Sequence, residues 1–354
     1  MDAAPAFRHG IMIDQPDVSV IITAHNAAAT LPATLSALAA QTSGADATVE
    51  IVIVDDRSSD ATPALLDSLR IPHGRVLRVD ALTAPSKCTA RQYALDVAVR
   101  ATRAPCVLVL DADALPAPGW VQQVTNALSH AAVAAGGIAF VSPNATWRGR
   151  LLAALQTVDA AYYLWWCRLL SRVGAPAGML FGAAGFRREL YERIGGFCAL
   201  GFTLTEDLAF ARAAHRLNAK VYFLAGEPVT VRGCERWRDV VGRALRTGTT
   251  GGLSLLAATL GLWGLLLPAL GIAAAVGGGV WWIALALRYL SGAAVAIAGL
   301  RRLRRLRLVP AAFVYEPTAL VLALFVAAMA VRVREVEWGG VRYPRQRSFV
   351  DPRA

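Results

Sequence analysis

Between residues 18 and about 115, short apolar runs alternate with longer amphipathic stretches. The runs VSVIITA (18–24), VEIVIVDD (49–56), GRVLRVD (74–80) and CVLVLDAD (106–113) have the length and β-branched content of buried strands. Between them, LPATLSALAAQ (31–41), ATPALLDSLR (61–70) and KCTARQYALDVAVRA (87–101) carry apolar residues at helical spacing. Such alternation predicts an α/β fold with a mostly parallel sheet, flanked by helices and joined by right-handed crossovers. Beyond residue 250 the pattern becomes almost purely apolar. Residues 253–276 and 280–300 are each long enough to cross a bilayer and are separated by Gly277-Gly278-Gly279. A third stretch, 308–331, is interrupted by Pro310, Glu316 and Pro317, and a charge in lipid is costly, so it is expected to be re-entrant or interfacial.

The pattern divides the chain into an extension (1–17), an α/β domain (18–250), a C-terminal helical transmembrane region (251–331) and a tail (332–354). Within the α/β domain, 147–180 is rich in aromatics and flanked by arginines. Tyr162, Tyr163, Trp165 and Trp166 are amphipathic in the manner of side chains at headgroup level, which predicts an interfacial segment; a plain core helix is the other reading.

Composition supports lipid contact: 56% of the 354 residues are hydrophobic and 17% charged, with a mean hydropathy of +0.45. The net charge is +11, yet no basic run is interleaved with stacking aromatics, so nucleic acid is not an expected partner. The densest basic cluster, RRLRRLR (301–307), lies between two apolar segments and fits the positive-inside rule and anionic headgroups. The five cysteines (Cys88, Cys106, Cys167, Cys198, Cys234) include no CxxC pair, which indicates neither a zinc knuckle nor a disulfide framework and fits a reducing cytoplasm. Residues 1–17 lack the apolar core of a signal peptide, so the N-terminal part is expected to stay cytoplasmic.

Candidate chemistry collects at strand ends. Asp111 and Asp113 follow the run 106–110, and Asp55 and Asp56 close the run 49–54. Open α/β sheets bind ligands beyond the carboxyl ends of their strands, where carboxylates can hold a divalent cation against a phosphate; a simple turn is the competing reading. Thr23, His25 and Asn26 end the first strand at the same edge, while Ser58, Ser59 and Asp60 are placed to cap the next helix. Asn26 and Asp60 are also open to being caps alone. A nicotinamide enzyme is excluded because TAHNAAAT, after the first strand, contains no glycine.

VSVIITAHNAAATLPATLSAL, IVIVDDRSSDAT, VLVLDADALPAPGW, GAAGFRRELYERIGGF and TEDLAFARAAHRLNAKVYF, in this order, resemble a membrane-associated family 2 glycosyltransferase of the GT-A fold, processive or lipid-directed, over roughly residues 18–250. The resemblance implies a nucleotide-diphosphate sugar donor, Mg²⁺ or Mn²⁺, inversion at the anomeric carbon and a catalytic domain on the cytoplasmic side of a multi-pass inner-membrane protein. It places Thr23, His25, Asn26, Asp55, Asp56, Lys87 and Asp111 at the donor, Asp113 with Asp111 at the metal, and Asp207 as general base. Glu206, Gly182, Trp165 and Trp166 fall on the acceptor side. TED equally suits a helix start, with Thr205 as N-cap and Glu206 and Asp207 in the first turn.

The family's phosphate-binding Q/RxxRW segment has its nearest match in RALRT, with Arg243 and Arg246 at the right spacing but Thr247 in place of Trp. A tail resembling WxGxxY (Trp338 to Tyr343) implies a cytoplasmic C-terminus and an even number of crossings. Few crossings make a poor polymer channel, so one sugar added to a membrane lipid or other hydrophobic acceptor is expected. A polysaccharide-synthase-like enzyme, a nucleotidyltransferase and a silent scaffold of the same fold are the alternatives.

Overall fold

The computed structural model describes residues 8–9, 15–42, 47–71, 73–79, 87–144, 146–176, 178–250, 255–330 and 332–344. The expectations for most of the extension, for the start of the loop before Lys87, for 251–254 and for the end of the tail fall outside these residues. The strands are β1 (Arg8–His9), β2 (Val18–Ala24), β3 (Val49–Asp56), β4 (Gly74–Val79), β5 (Cys106–Asp111), β6 (Val133–Ala135), β7 (Ile138–Val141), β8 (Ala183–Arg187), β9 (Val221–Phe223), β10 (Val229–Arg232), β11 (Glu335–Trp338) and β12 (Val341–Pro344). The helices are α1 (Leu31–Thr42), α2 (Thr62–Ser68), α3 (Ala90–Ala101), α4 (Trp120–Leu128), α5 (Trp147–Arg172), α6 (Arg188–Ile194), α7 (Glu206–Arg216), α8 (Trp237–Thr250), α9 (Leu255–Gly277), α10 (Val280–Arg302) and α11 (Val309–Ala330).

The chain forms two compact units, residues 1–138 with 178–232, and residues 139–177 with 233–354. This division differs from the expected one: α5 and α8 go with the apolar helices rather than with the sheet.

In the first unit eight strands lie in the order β1-β4-β3-β2-β5-β8-β6-β9. β2 runs parallel to both β3 and β5, and β3 parallel to β4. Every residue of β2 and β3 is buried, because helices cover both faces of a parallel sheet and leave no polar side to the strand. β8 is antiparallel to β5 and to β6, so the sheet is mixed at this side. The extension is not separate: its β1 pairs antiparallel with β4.

Helix starts follow from local chemistry. α3 opens on a capping box in which the Thr89 side chain accepts from the Gln92 backbone N–H and the Gln92 side chain accepts from the Thr89 backbone. Phe210 of α7 packs against three further rings, Phe181, Phe186 and Phe197, with Phe181 edge-on to Phe197 at 5.5 Å. Each such ring taken out of water stabilises the unit by roughly 1.5–3 kcal/mol.

In the second unit α5, α10 and α11 enclose a core of Val158, Ala161, Tyr162, Ala296, Leu300 and Ala312. Gly299 permits α5 and α10 to pack closely, since a Cβ there would collide with the Ala161 carbonyl oxygen. Glu316, the charge that argued against a full crossing over 308–331, is buried in a continuous α11. Arg288 pairs with its carboxylate at 2.9 Å and the Tyr162 hydroxyl donates to it at 2.7 Å. Gly292 leaves the space that the Glu316 carboxylate fills. With its charge paired inside the unit, the segment is a full-length helix. Among the described residues, 280–302 and 306–330 are long and apolar enough to cross a membrane, while the qualifying apolar stretch of α9 is shorter, 264–277.

Gly299→Val should therefore force α5 and α10 apart. The expected loss is about 1–3 kcal/mol, the usual cost of overpacking, read as a lowered thermal midpoint of the detergent-solubilised chain. An unchanged midpoint would contradict the close approach.

Candidate functional site

The parallel register of β2, β3 and β5 brings three strand ends to one edge: Thr23 lies opposite Val54 and Asp111, and Ala24 opposite Asp55. Thr23, Asp55 and Asp56 are buried. The Thr23 hydroxyl has no described hydrogen-bond partner. Asp55 accepts from the Ser58 backbone N–H at 3.2 Å and has Arg78 at 3.9 Å. Asp56 is gripped bidentately by Arg57, at 2.6 and 2.9 Å.

His25 and Asn26 brace this edge. The His25 Nδ1–H donates to the Asp56 carbonyl at 2.6 Å, which ties the end of β2 to that of β3. Asn26 adopts a left-handed φ of 51°, and its side-chain oxygen accepts from the backbone N–H groups of Ser59 and Asp60. Asn26 thus ties the loop after β2 to the loop after β3 and caps neither α1 nor α2. Asp60 likewise accepts from Thr62 at 2.9 Å and from Ala28 at 3.3 Å.

The carboxylates of β5 meet α3 and α7. Arg91, in the first turn of α3, donates through Nη2 to Asp111 at 2.5 Å and through Nε to Glu206 at 2.7 Å. Partial desolvation opposes the guanidinium charge, but Asp111 and Glu206 outweigh it and hold the Arg91 pKa above its ordinary value. Glu206 is buried, and its second oxygen has no described hydrogen-bond partner. Gly182, expected on the acceptor side, lies against Asp111: a Cβ there would stand 2.6 Å from Asp111 Oδ2. Asp113 sits half-buried in the turn that follows β5.

Asp207 lies in the first turn of α7, where the helix dipole favours a carboxylate, and accepts from the Leu208 backbone N–H at 2.8 Å. Thr205 does not cap α7 with its side chain. Its own N–H is instead bound by the Thr203 hydroxyl at 3.1 Å. The approach to α7 is fixed from α3. Gln92 donates to the carbonyls of Phe197 and Gly201, and Asp96 accepts from the N–H groups of Phe197 and Cys198. Cys88 and Cys198 form a disulfide, contrary to the expectation drawn from their spacing; they are 110 residues apart and meet only through the fold. Lys87 is exposed beside Cys88, with no described contact to the carboxylates.

Arg243, Arg246, Trp165 and Trp166 belong to the second unit. Arg243 lies over the Phe140 ring at 4.9 Å and donates to Gln156 at 3.1 Å. Arg246 lies over Trp338 at 4.6 Å, so the aromatic absent at Thr247 is met by one from the tail. Arg168 covers Trp165 at 5.6 Å, and Trp166 packs against the α5–α10–α11 core.

Among the described residues no three His, Cys, Asp or Glu side chains converge into a metal cage. The set nevertheless fits Mg²⁺ or Mn²⁺ in kind. Its donors are hard carboxylate oxygens, one buried Glu206 oxygen has no partner among the described residues, and Mg²⁺ is commonly held by one or two carboxylates with phosphates and water completing its shell.

Arg91 was not among the residues singled out from the sequence. The available signal was a cation in the first turn of a helix, where the dipole disfavours it unless a carboxylate compensates. Arg91→Met should destabilise the chain by about 2 kcal/mol in denaturant unfolding, less than the 3–5 kcal/mol of a fully buried broken pair because Asp111 is partly exposed. Arg91→Lys, a point donor that cannot serve two carboxylates at once, should fall between. Wild-type stability in Arg91→Met would refute the bridge.

The model of the family described as "Glycosyl transferase family 2" matches residues 19–195, half of the chain. The succinoglycan biosynthesis protein ExoO of Rhizobium meliloti (strain 1021) is 35% identical over 98 residues, and the aligned part is 28% of this chain and 26% of that protein. The chain thus spans about a quarter of that relative's length. Among solved structures, the mannosyltransferase PcManGT from Pyrobaculum calidifontis, in complex with GDP-Man and Mn²⁺, is 22% identical over 86% of this chain and 87% of that one, with a TM-score of 0.47. S. aureus TarS 1-349 in complex with UDP-GlcNAc is 16% identical over 95% and 98%, with a TM-score of 0.43. The family match covers β2 to α6, the segment that carries Asp55, Asp56, Arg91, Asp111 and Asp113, and the chain belongs to glycosyl transferase family 2.

Proposed function

We propose that this glycosyltransferase moves a sugar from a nucleoside-diphosphate sugar to a hydroxyl group of a membrane lipid or other hydrophobic acceptor, with inversion at the anomeric carbon. The observation that carries the reading is the Arg91 bridge, which ties the strand-end carboxylate of Asp111 to Glu206, the neighbour of Asp207. A donor-side acid is thereby tied to the helix start that carries the candidate base.

In this reading Thr23, His25, Asn26, Asp55 and Asp56 shape the donor floor, and Asp113 with Asp111 holds Mg²⁺ or Mn²⁺. The cation, when bound, supplies Lewis-acid neutralisation of the diphosphate. Asp207 accepts the proton of the attacking hydroxyl at its carboxylate as the new bond forms on the face opposite the departing diphosphate. The two apolar helices support a hydrophobic acceptor, a multi-pass place in the inner membrane and a cytoplasmic catalytic unit. Arg243 and Arg246 offer guanidinium groups to phosphate, and Trp165 a border at headgroup level. The name of the Rhizobium relative favours a second reading, in which the acceptor is a growing saccharide.

Purified full-length chain incubated with a panel of nucleotide sugars, Mn²⁺ and total lipid extract should place the sugar in the lipid fraction, read by mass spectrometry. Product found solely in water-soluble saccharide would move the assignment to the second reading. EDTA should abolish transfer, and retained transfer would remove the metal. Asp207→Asn should keep donor affinity and the unfolding midpoint while transfer falls roughly 10²–10⁴-fold. Near-normal transfer by this variant would leave Asp207 as a helix-start residue only.

A further inference from the structure

The turn between α10 and α11 is not used by the proposed chemistry. It carries Arg301, Arg302, Arg304, Arg305 and Arg307 within seven residues. Arg301, Arg304 and Arg307 are exposed, and no described ion pair involves these three. The sequence supplies no counter-charge nearby, since no Asp or Glu occurs from 289 to 315. Arg304 is held at a left-handed φ of 53°. Leu306 is 51% exposed beside the arginines while Leu303 is 4% exposed. One leucine anchors the turn to the unit and the other faces outward with the cations.

The position of this turn along α10 identifies what it meets. α10 begins with Trp281 and Trp282, which are 44% and 55% exposed. From Trp282 to Arg301 a helix rises about 29 Å, against about 30 Å for the hydrocarbon core of a bilayer. Tryptophans settle at either interface of a bilayer, and arginine side chains reach for headgroup level. A helix of this length cannot place its tryptophans at one headgroup level without bringing its arginines to the other. Guanidinium groups there face phosphodiester oxygens, which they bind in bidentate fashion.

We propose that the 301–307 turn is a binding site for the headgroups of anionic phospholipids. Exposed Leu306 enters the acyl boundary while Arg301, Arg304 and Arg307 hold phosphates. The inference rests on the membrane reading of the apolar helices but not on the acceptor or the reaction.

The test uses the full chain in neutral detergent, mixed with vesicles of phosphatidylcholine alone or with one third phosphatidylglycerol, then floated on a gradient. Lipid retained after mild delipidation is quantified by mass spectrometry. Wild-type chain should float with both vesicles and retain phosphatidylglycerol preferentially, and that preference should fade as salt rises. Each basic side chain near an anionic surface strengthens attachment about fivefold, so the triple variant Arg301→Gln, Arg304→Gln, Arg307→Gln should lose preference on the order of a hundredfold while still floating. Equal retention of the two lipids by wild type, or undiminished preference in the variant, would overturn the site. A chain that floats with neither vesicle refutes the membrane reading itself. Co-purifying RNA that the substitutions remove, without any lipid preference, would assign the turn to nucleic acid instead. The salt series on wild type stands even if the variant misfolds.

Discussion

Two carboxylates brought close in a partly dry place must share a cation, and the first unit is arranged around that constraint. Asp111 comes from the end of β5 and Glu206 from the start of α7, and Arg91 of α3 joins both. Without the guanidinium the two acids would repel, and burial of Glu206 would be unfavourable. The surroundings are consistent with this demand. Gly182 leaves the Asp111 carboxylate its room, and Gln92 and Asp96, in the first and second turns of α3, fasten the chain that leads into α7. One helix therefore sets the distance between strand edge and helix start. The second Glu206 oxygen remains at this bridge with no described hydrogen-bond partner.

The second unit solves a related problem with different means. Arg288, Glu316 and Tyr162 satisfy one another between α10, α11 and α5. Burying a charge pair among apolar helices stabilises little in itself, because desolvation offsets the attraction. It does specify which faces meet, since any other packing would strand a charge.

Much of the first unit was legible in the sequence, because each central strand is a continuous apolar run and each run ends at a carboxylate or a turn residue. β2, β3, β4 and β5 fall within a few residues of the positions that the pattern marks. The strand-end grouping of Thr23, Asp55, Asp56 and Asp111 was legible for the same reason, as parallel register fixes which ends align. What pairwise contact decides was not legible. Arg91 looks like one more charge on an amphipathic helix, Cys88 and Cys198 have no local spacing rule, and Gly182 reveals its neighbour only when β5 and β8 are adjacent. The helix over 308–331 was obscured because Glu316 carries its cost visibly in the sequence, whereas its partner Arg288 lies a helix away. The allocation of α5 and α8 to the apolar unit is likewise a matter of packing, which periodicity does not encode.

The loop from Phe197 to Thr203 is held several times over: by the covalent Cys88–Cys198 link, by both ends of the Gln92 amide and by both oxygens of Asp96. Such redundancy is a form of fault tolerance. The thiols can be reduced without releasing the loop, because the remaining bonds all originate on the same rigid helix. The start of α7 therefore keeps its place in compartments of either redox poise, and the geometry around Glu206 does not depend on where along its maturation the chain acquires the disulfide.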